Sequence, residues 1–306
     1  MSESFDKHAV VIGASGMIGQ PLCHILVDRG WKVAGVARFA DLAKRQQLES
    51  IGVTTVCFDI ESDAARDLPD ADVVFLEVWN RDHFLNQADR DAIWALNYEA
   101  IGRLVDRYAG AATIINGSTA SLYGPRCDRP SHEDDPLRPH NEYALSRLAQ
   151  ERLIDFLCAQ AGGHAIHLRY CHANDEHKGW IRRIADSVLA ERSFGHQPDL
   201  RVQVMGLLDF VRCTALAGES WQSVPSVINV THPQDWSYRE LAERVTREVG
   251  RGRVQFEVDG GGLEDSIWVD TTRMVRAFGP PQDDLDQLIA RVAKEALRSH
   301  VAPGGV

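Results

Sequence analysis

At 306 residues the chain is longer than one typical domain of roughly 100–200 residues, so a large domain with a smaller lobe, or two domains sharing a cleft, is expected. With 44% hydrophobic and 25% charged residues it has globular composition, which excludes disordered, collagenous and coiled-coil classes. Thirty-three basic against forty-four acidic residues give a net charge of −11, and basic clusters such as Arg182-Arg183 are short, so no nucleic-acid partner is expected.

Six scattered cysteines with no C-x-x-C pair, and no signal segment before the first strand, point to a reduced, cytoplasmic setting. His172 adjoins Cys171, but no three or four ligands converge at workable spacing, so no metal is expected. No apolar run approaches the roughly 18–20 residues that span a bilayer, so no membrane partner is expected.

The elements read as α/β. Ala9 to Ile12 is a short apolar strand leading into a glycine turn; Gln20 to Asp28 has helical spacing, and Trp31 to Val36 is strand-like again. Val53 to Phe58, Ala71 to Val78 and Ala112 to Ile115 continue the strands, with a helix from about Asp89 to Tyr108. Uniformly apolar strands fit a doubly wound parallel sheet of Rossmann type, covered on both faces. A polar loop from Asn116 to about Pro139 precedes a long helix from Glu142 to Gln160 and a strand from Ala165 to Tyr170. Further on, helices are predicted at Trp180–Ala190, Leu208–Ala217, Ser237–Val249, Thr271–Phe278 and Asp284–Leu297, and strands near Arg201–Val204 and Val227–Val230. The expected division is a dinucleotide-binding domain over 1–170, completed by about 205–232. A smaller, mixed substrate lobe is expected over 171–204 and 233–306.

Gly13-Ala14-Ser15-Gly16-Met17-Ile18-Gly19 sits where the first strand meets the first helix. Such a turn brings backbone N–H groups and a helix N-terminus to a pyrophosphate. An acid at the end of the second strand would take the ribose 2′-hydroxyl of NAD, whereas an arginine accommodates a 2′-phosphate. Val33 to Arg38 contains no acid and ends on Arg38, so NADP(H) is expected over NAD(H). Asp59 and Ile60, after the third strand, are placed to meet the adenine edge. Glu77 and Val78, after the fourth, lie near the cofactor; Glu77 reads either as a functional carboxylate or as a solvent-facing one.

These residues and those that follow resemble the extended short-chain dehydrogenase/reductase family over nearly the whole chain. Asn97 in Asn97-Tyr-Glu-Ala-Ile-Gly102 matches the family's helix-start asparagine, and Ser118-Thr119-Ala-Ser-Leu-Tyr123-Gly124 matches its stretch after the fifth strand. Asp270-Thr-Thr-Arg273 resembles its late D-x-x-K/R helix entry. The family's Tyr-x-x-x-Lys is here Tyr143-Ala-Leu-Ser-Arg147. Residues four apart share a helix face, so a cation there can hold the nicotinamide ribose and favour the tyrosinate, lowering a phenol pKa from about 10. Arginine does both but does not release a proton, which cuts or reroutes any relay through that position.

The resemblance implies Thr119 and Tyr143 on a substrate oxygen, Tyr143 as general acid or base, and Arg147 as electrostatic and ribose anchor. It also implies Tyr143, Arg147, Asn97 and Tyr170 near the dinucleotide, and a homodimer through the helices from about Asp89 and Glu142. A sugar-nucleotide dehydratase of this kind carries an acid pair directly after the threonine; Ala120-Ser121 disfavours that chemistry. Leu168-Arg-Tyr-Cys-His172 is similar to the epimerase branch, without a clear basic cradle for a sugar pyrophosphate. Trp31 to Arg38 and Val74 to Asn80 are similar to the progesterone 5β-reductase and iridoid synthase group, whose catalytic lysine has no counterpart in Asn116 to Pro125. Trp79, Tyr123, His172 and Trp180, with Thr119, are candidates to line the substrate cleft. The readings are an NADP(H)-dependent oxidoreductase acting on the carbonyl, alcohol or activated alkene of a small organic molecule, a nucleotide-sugar epimerase or reductase, or a non-catalytic NADP sensor.

Overall fold

The computed structural model describes residues 7–78, 90–125, 128–256 and 267–301. β1 (His8–Ile12) runs into the glycine turn and α1 (Gly19–Asp28), whose buried Gly19, Leu22, Cys23 and Leu26 recur at helical spacing. β2 (Lys32–Ala37) leads to α2 (Leu42–Ser50), which opens where the Asp41 carboxylate accepts the Ala43 N–H. β3 (Thr54–Cys57) and the fully buried β4 (Val73–Leu76) follow.

The long helix expected before the fifth strand is interrupted. α3 (Arg90–Trp94) passes through a π-helical stretch, Ala95–Ala100, into α4 (Ile101–Tyr108). Such π-turns are often found at functional sites, and this one carries the buried Asn97. β5 (Thr113–Thr119) is buried throughout, although its last four residues are polar or glycine. α5 (Glu142–Ala161) starts where Asn141 accepts the Ala144 N–H and stops at Gly162, which takes φ +72°. β6 (His164–Tyr170) is succeeded by β7 (His172–Asn174), α6 (Trp180–Leu189), β8 (Ser193–Phe194), β9 (Arg201–Val202) and β10 (Val204–Gly206). Then come α7 (Leu207–Glu219), β11 (Val227–Val230), β12 (Trp236–Ser237), α8 (Tyr238–Val249), β13 (Gln255–Phe256), α9 (Thr272–Phe278) and α10 (Leu285–Val301).

The central sheet has seven strands in the order β11-β6-β5-β4-β1-β2-β3. The pairs β1–β2, β1–β4, β2–β3 and β4–β5 are parallel. This is the doubly wound Rossmann α/β arrangement anticipated from the apolar strands, with its topological switch between β1 and β4. The strand expected at Arg201–Val204 is split by Gln203, whose amide donates to the carbonyls of His232 and Val269 and accepts the Val269 N–H.

The chain forms two compact units. The first comprises 1–122, 141–169 and 211–228; its core packs Val10, Ile12, Leu76, Leu104, Ile114 and Ile154 between sheet and helices. The second comprises 123–140, 170–210 and 229–306, around Trp180, Ile184, Val188, Tyr238, Leu241 and Val292. Residues 123–140, read from sequence as part of the first domain, cluster with the second unit. Ser131 bridges Val269, and Arg273 pairs with Glu133 and Asp134. At the centre of this knot the Asn229 amide donates to the carbonyls of Ser131 and Asp270 and accepts the Tyr123 hydroxyl at 2.7 Å.

Candidate active site

In the first unit the glycine turn lies at the switch point, where β1 and β4 end side by side. Gly13 has φ +89°, and a Cβ there would fall 2.3 Å from the Glu77 carbonyl oxygen. At Gly19 a Cβ would fall 2.2 Å from the Gly13 carbonyl oxygen. The turn therefore brings α1 and β4 closer than any side chain permits, and exposes backbone rather than side chain to a ligand. The Gly13 and Ala14 N–H groups both donate to the Val36 carbonyl, and the Gly16 N–H to that of Gly13. No side chain caps α1 at Ile18, which leaves the helix N-terminus for an anion. Ser15, Met17 and Ile18 complete the same turn. This cradle, which a Cβ would fill, fits a dinucleotide pyrophosphate.

Arg38 follows β2 directly and is exposed; Phe39 behind it is buried with φ +47°. Sequence reasoning missed Lys44, on the first turn of α2, whose Nζ lies 3.3 Å from the Ser15 carbonyl oxygen. A cation thus stands at the turn, six residues after Arg38 in sequence. Asp59 accepts the Glu61 N–H at 3.0 Å, and Ile60 belongs to the apolar core of this unit. Glu77 is only 5% exposed, which rules out the solvent-facing reading of this carboxylate; Val78 packs against the core beside it.

Tyr143 is on the first turn of α5 and buried. Asn97, from the π-turn, donates to Ser146 Oγ at 3.1 Å, and Ser146 Oγ donates to the Tyr143 carbonyl at 2.8 Å, so the π-turn fixes the start of α5. Thr119 ends β5, and its hydroxyl donates to Ser121 Oγ at 3.1 Å. Arg147 is 1% exposed; its guanidinium donates to the Gly117 carbonyl and to Gln150 Oε1.

Arg147 belongs to a buried polar layer between α5 and the sheet. Asn116 and Ser118 alternate on β5, as do His167 and Arg169 on β6, while Arg147, Gln150, Glu151 and Asp155 face them from α5. Glu151 takes the Ser118 hydroxyl at 2.6 Å and the Arg169 Nε and Nη2 at 3.1 and 2.8 Å. Burial pushes the Glu151 carboxyl up, but the Arg169 guanidinium and the Ser118 hydroxyl hold it below the usual carboxylate range. Asp155 is likewise held low, against burial, by the hydrogen bond from His167 and by neighbouring cations.

A carboxyl depressed in the folded state contributes stability that is present above its unfolded pKa and lost as pH falls through the folded value. The urea midpoint is therefore expected to hold near neutrality and drop steeply below about pH 4. Leu substitution of Asp155 should flatten that drop; an unchanged profile would remove Asp155 from the acid response.

In the second unit the candidate cleft residues pack as follows. Trp180 is packed in the core, edge-on to His196 at 4.6 Å and His172 at 5.4 Å, with the Arg183 guanidinium 4.2 Å from its ring. Its large apolar area explains this placement. The Tyr123 hydroxyl is engaged on Asn229, so its role here is to hold the loop. Tyr170 packs edge-on to Phe210 at 5.3 Å, and His172 is half-buried. Trp79 lies outside the described residues. Among the described residues no group of three or more His, Cys, Asp or Glu side chains is arranged to hold a metal, and no helix is long and apolar enough to cross a membrane.

Residues 9–198 match the NAD dependent epimerase/dehydratase family, and the chain belongs to it. It is thus an extended short-chain dehydrogenase/reductase, as the glycine turn and the Tyr143 helix define. It is 24% identical over 295 residues to a GDP-mannose 4,6-dehydratase of Sordaria araneosa, covering 83% of this chain and 53% of that protein. Against a UDP-glucose 4-epimerase of Azospirillum brasilense it is 26% identical, over 53% of this chain and 47% of that protein. The chain therefore spans about half the length of these relatives. Its fold is similar to a UDP-glucuronic acid 4-epimerase from Bacillus cereus in complex with NAD and a fluorinated UDP-sugar. There the TM-score is 0.82 at 19% identity, over 95% of this chain and 99% of that one. A UDP-N-acetylglucosamine 4-epimerase from Methanobrevibacter ruminantium gives a TM-score of 0.83 at 18% identity, over 96% and 99%.

Proposed function

We propose that this chain is an NADP(H)-dependent oxidoreductase that exchanges a hydride with a carbonyl or alcohol carbon of a small molecule. The observation that carries the reading is the glycine cradle at the switch point, with Lys44 on its Ser15 carbonyl, exposed Arg38 directly after β2 and no acid in that strand. Two cations favour a 2′-phosphate over a bare ribose. Gly13 to Gly19 would hold the pyrophosphate, Asp59 and Ile60 the adenine edge, and Glu77, Val78, Asn97, Tyr143, Arg147 and Tyr170 the nicotinamide half. The bound dinucleotide would supply or accept the hydride.

The chain's own part is proton chemistry. In the reducing direction the Tyr143 phenol gives its proton to the substrate oxygen; in the oxidising direction its phenolate takes that proton back. Thr119 orients the same oxygen. Arg147 favours the phenolate through its charge but carries no proton onward, so Tyr143 must recover its proton from solvent or substrate.

The activities of these relatives favour a second reading, in which the substrate is a nucleotide-linked sugar. The dehydratase likeness is not adopted, because Ala120-Ser121 offers no second proton carrier. The segments similar to the progesterone 5β-reductase group support the NADPH preference and an apolar substrate. An enone mechanism lacks its lysine.

Calorimetric titration with NADPH and NADH, followed by turnover of a panel of ketones, aldehydes, enones and UDP- or GDP-sugars, tests the assignment. NADPH is expected to bind more tightly, Arg38→Asp to reverse the ratio, and Tyr143→Phe to abolish turnover while sparing binding. Tight binding without any turnover would leave a dinucleotide sensor. No binding of either cofactor would overturn the reading.

A homodimer is also proposed, on exposed Tyr98 beside α4 and exposed Leu145 and Phe156 on α5. Light scattering is expected to give twice 34.0 kDa; a monomer mass at micromolar concentration would refute it.

A further inference from the structure

The buried layer contains an ordered file of hydrogen bonds. Arg147 Nη1 donates to Gln150 Oε1, and Gln150 Nε2 donates to Asn116 Oδ1 at 3.1 Å. Asn116 Nδ2 lies 3.0 Å from His167 Nδ1, and His167 Nε2 lies 2.9 Å from Asp155 Oδ1. A guanidinium has donors only. Gln150 must therefore turn its oxygen to Arg147, which sends its NH2 to Asn116. Asn116 must receive with its oxygen, which sends its own NH2 to His167. Nδ1 of His167 then has to accept, so the ring carries its single proton on Nε2 and donates it to Asp155. A doubly protonated ring would set an N–H against the Asn116 NH2.

Every bond in the file points the same way, from a cation 1% exposed to a carboxylate with its side chain 46% exposed. Such alignment strengthens each member. It also means that the state of one ring is set by the residue type three side chains away. We propose that Gln150, Asn116 and His167 are positioning residues for Arg147. Together they lock the guanidinium against the Gly117 carbonyl, one helical turn from Tyr143, and hold His167 as the neutral Nε2–H tautomer. The positioning role rests on the proposed function, since Arg147 is there read as the anchor of the nicotinamide ribose.

The groups around His167 are Asp155 and Glu151 from α5, Arg169 from its own strand and Asn116 from β5, while Arg152 reaches only the far side of Asp155. Glu151 is satisfied by Ser118 and Arg169, which leaves Asp155 as the acceptor of the ring proton.

The test is nitrogen NMR of the intact chain with 15N-labelled histidine at pH 7, the His167 signals being identified by their loss in His167→Gln. The wild type is expected to show one pyridine-type nitrogen, Nδ1, and one pyrrole-type nitrogen, Nε2. Asn116→Asp keeps the volume but replaces the donor by an acceptor, so both nitrogens should become pyrrole-type. NADPH affinity in that variant should fall roughly tenfold, about one charged hydrogen bond's worth. Gln150→Leu should give a similar fall through a different link. An Nδ1–H or doubly protonated ring in the wild type would overturn the ordered file. The expected nitrogen pattern with unchanged NADPH affinity in both variants would overturn the positioning role. NADPH that fails to bind the wild type would overturn the proposed function and the positioning role together, while the nitrogen pattern still decides the order of the file.

Discussion

Replacing Glu151 with alanine is expected to be among the most destabilising single changes available in the first unit. The carboxylate is 1% exposed and takes both Nε and Nη2 of an Arg169 that is itself 3% exposed. Removing it takes both of these bonds from the buried Arg169 guanidinium and the acceptor from the Ser118 hydroxyl. Breaking one side of such a pair costs about 3–5 kcal/mol, against a typical total of about 5–15 kcal/mol. Urea denaturation should show the midpoint collapsing. The double variant Glu151→Leu with Arg169→Met should regain most of the loss, because neither charge is then desolvated alone. If single and double variants are equally unstable, packing rather than charge holds this layer.

Gly19→Ala is expected to have the largest effect on dinucleotide binding. In a helix, alanine is ordinarily preferred to glycine by about 1 kcal/mol. Here the added Cβ would meet the Gly13 carbonyl oxygen at 2.2 Å and its carbon at 2.8 Å, both backbone, so α1 itself must move. Overpacking of this sort costs about 1–3 kcal/mol in stability. The anion site is made of the same backbone, so NADPH affinity should fall by about 100-fold or more, the larger end of that cost. Gly30→Ala is the control: Gly30 has φ +81° but nothing within 4 Å of the added carbon, so it should lose a little stability and no affinity. Wild-type NADPH binding by Gly19→Ala would remove this turn from the site.

The strands β1, β2, β4 and β11 and the helices α1, α5, α6 and α8 were legible because apolar spacing and caps such as Asn141 and Ser237 agree with burial. α2 was not: of its nine residues only Leu48 is buried, so it has no apolar stripe to read, and it depends on the Asp41 cap. The polar layer was not legible either. Arg147 was read from sequence as a ribose anchor, but Gln150 and Glu151 carry no local signal, and their partners Asn116, Ser118 and Arg169 lie 18–34 residues away in sequence, beyond any local pattern. The glycine turn and Arg38 stood out by position, whereas Lys44 is one of two adjacent cations on a polar helix. The core packing of Trp180 was not legible, because an aromatic in sequence looks the same whether it lines a cleft or fills a core.

The knot at Asn229 sets how the second unit opens. One amide and its backbone N–H join segments 98 and 41 residues apart, through Ser131 and Asp270, while Tyr123 and Glu133 close on the same residue. None of these strands of chain can fray without breaking the bonds of the others. Their amides, including those of Ser131 and Asp270 that bond across the bridge, then exchange with deuterated solvent through one shared opening event, so this surface loop inherits the protection of a core element.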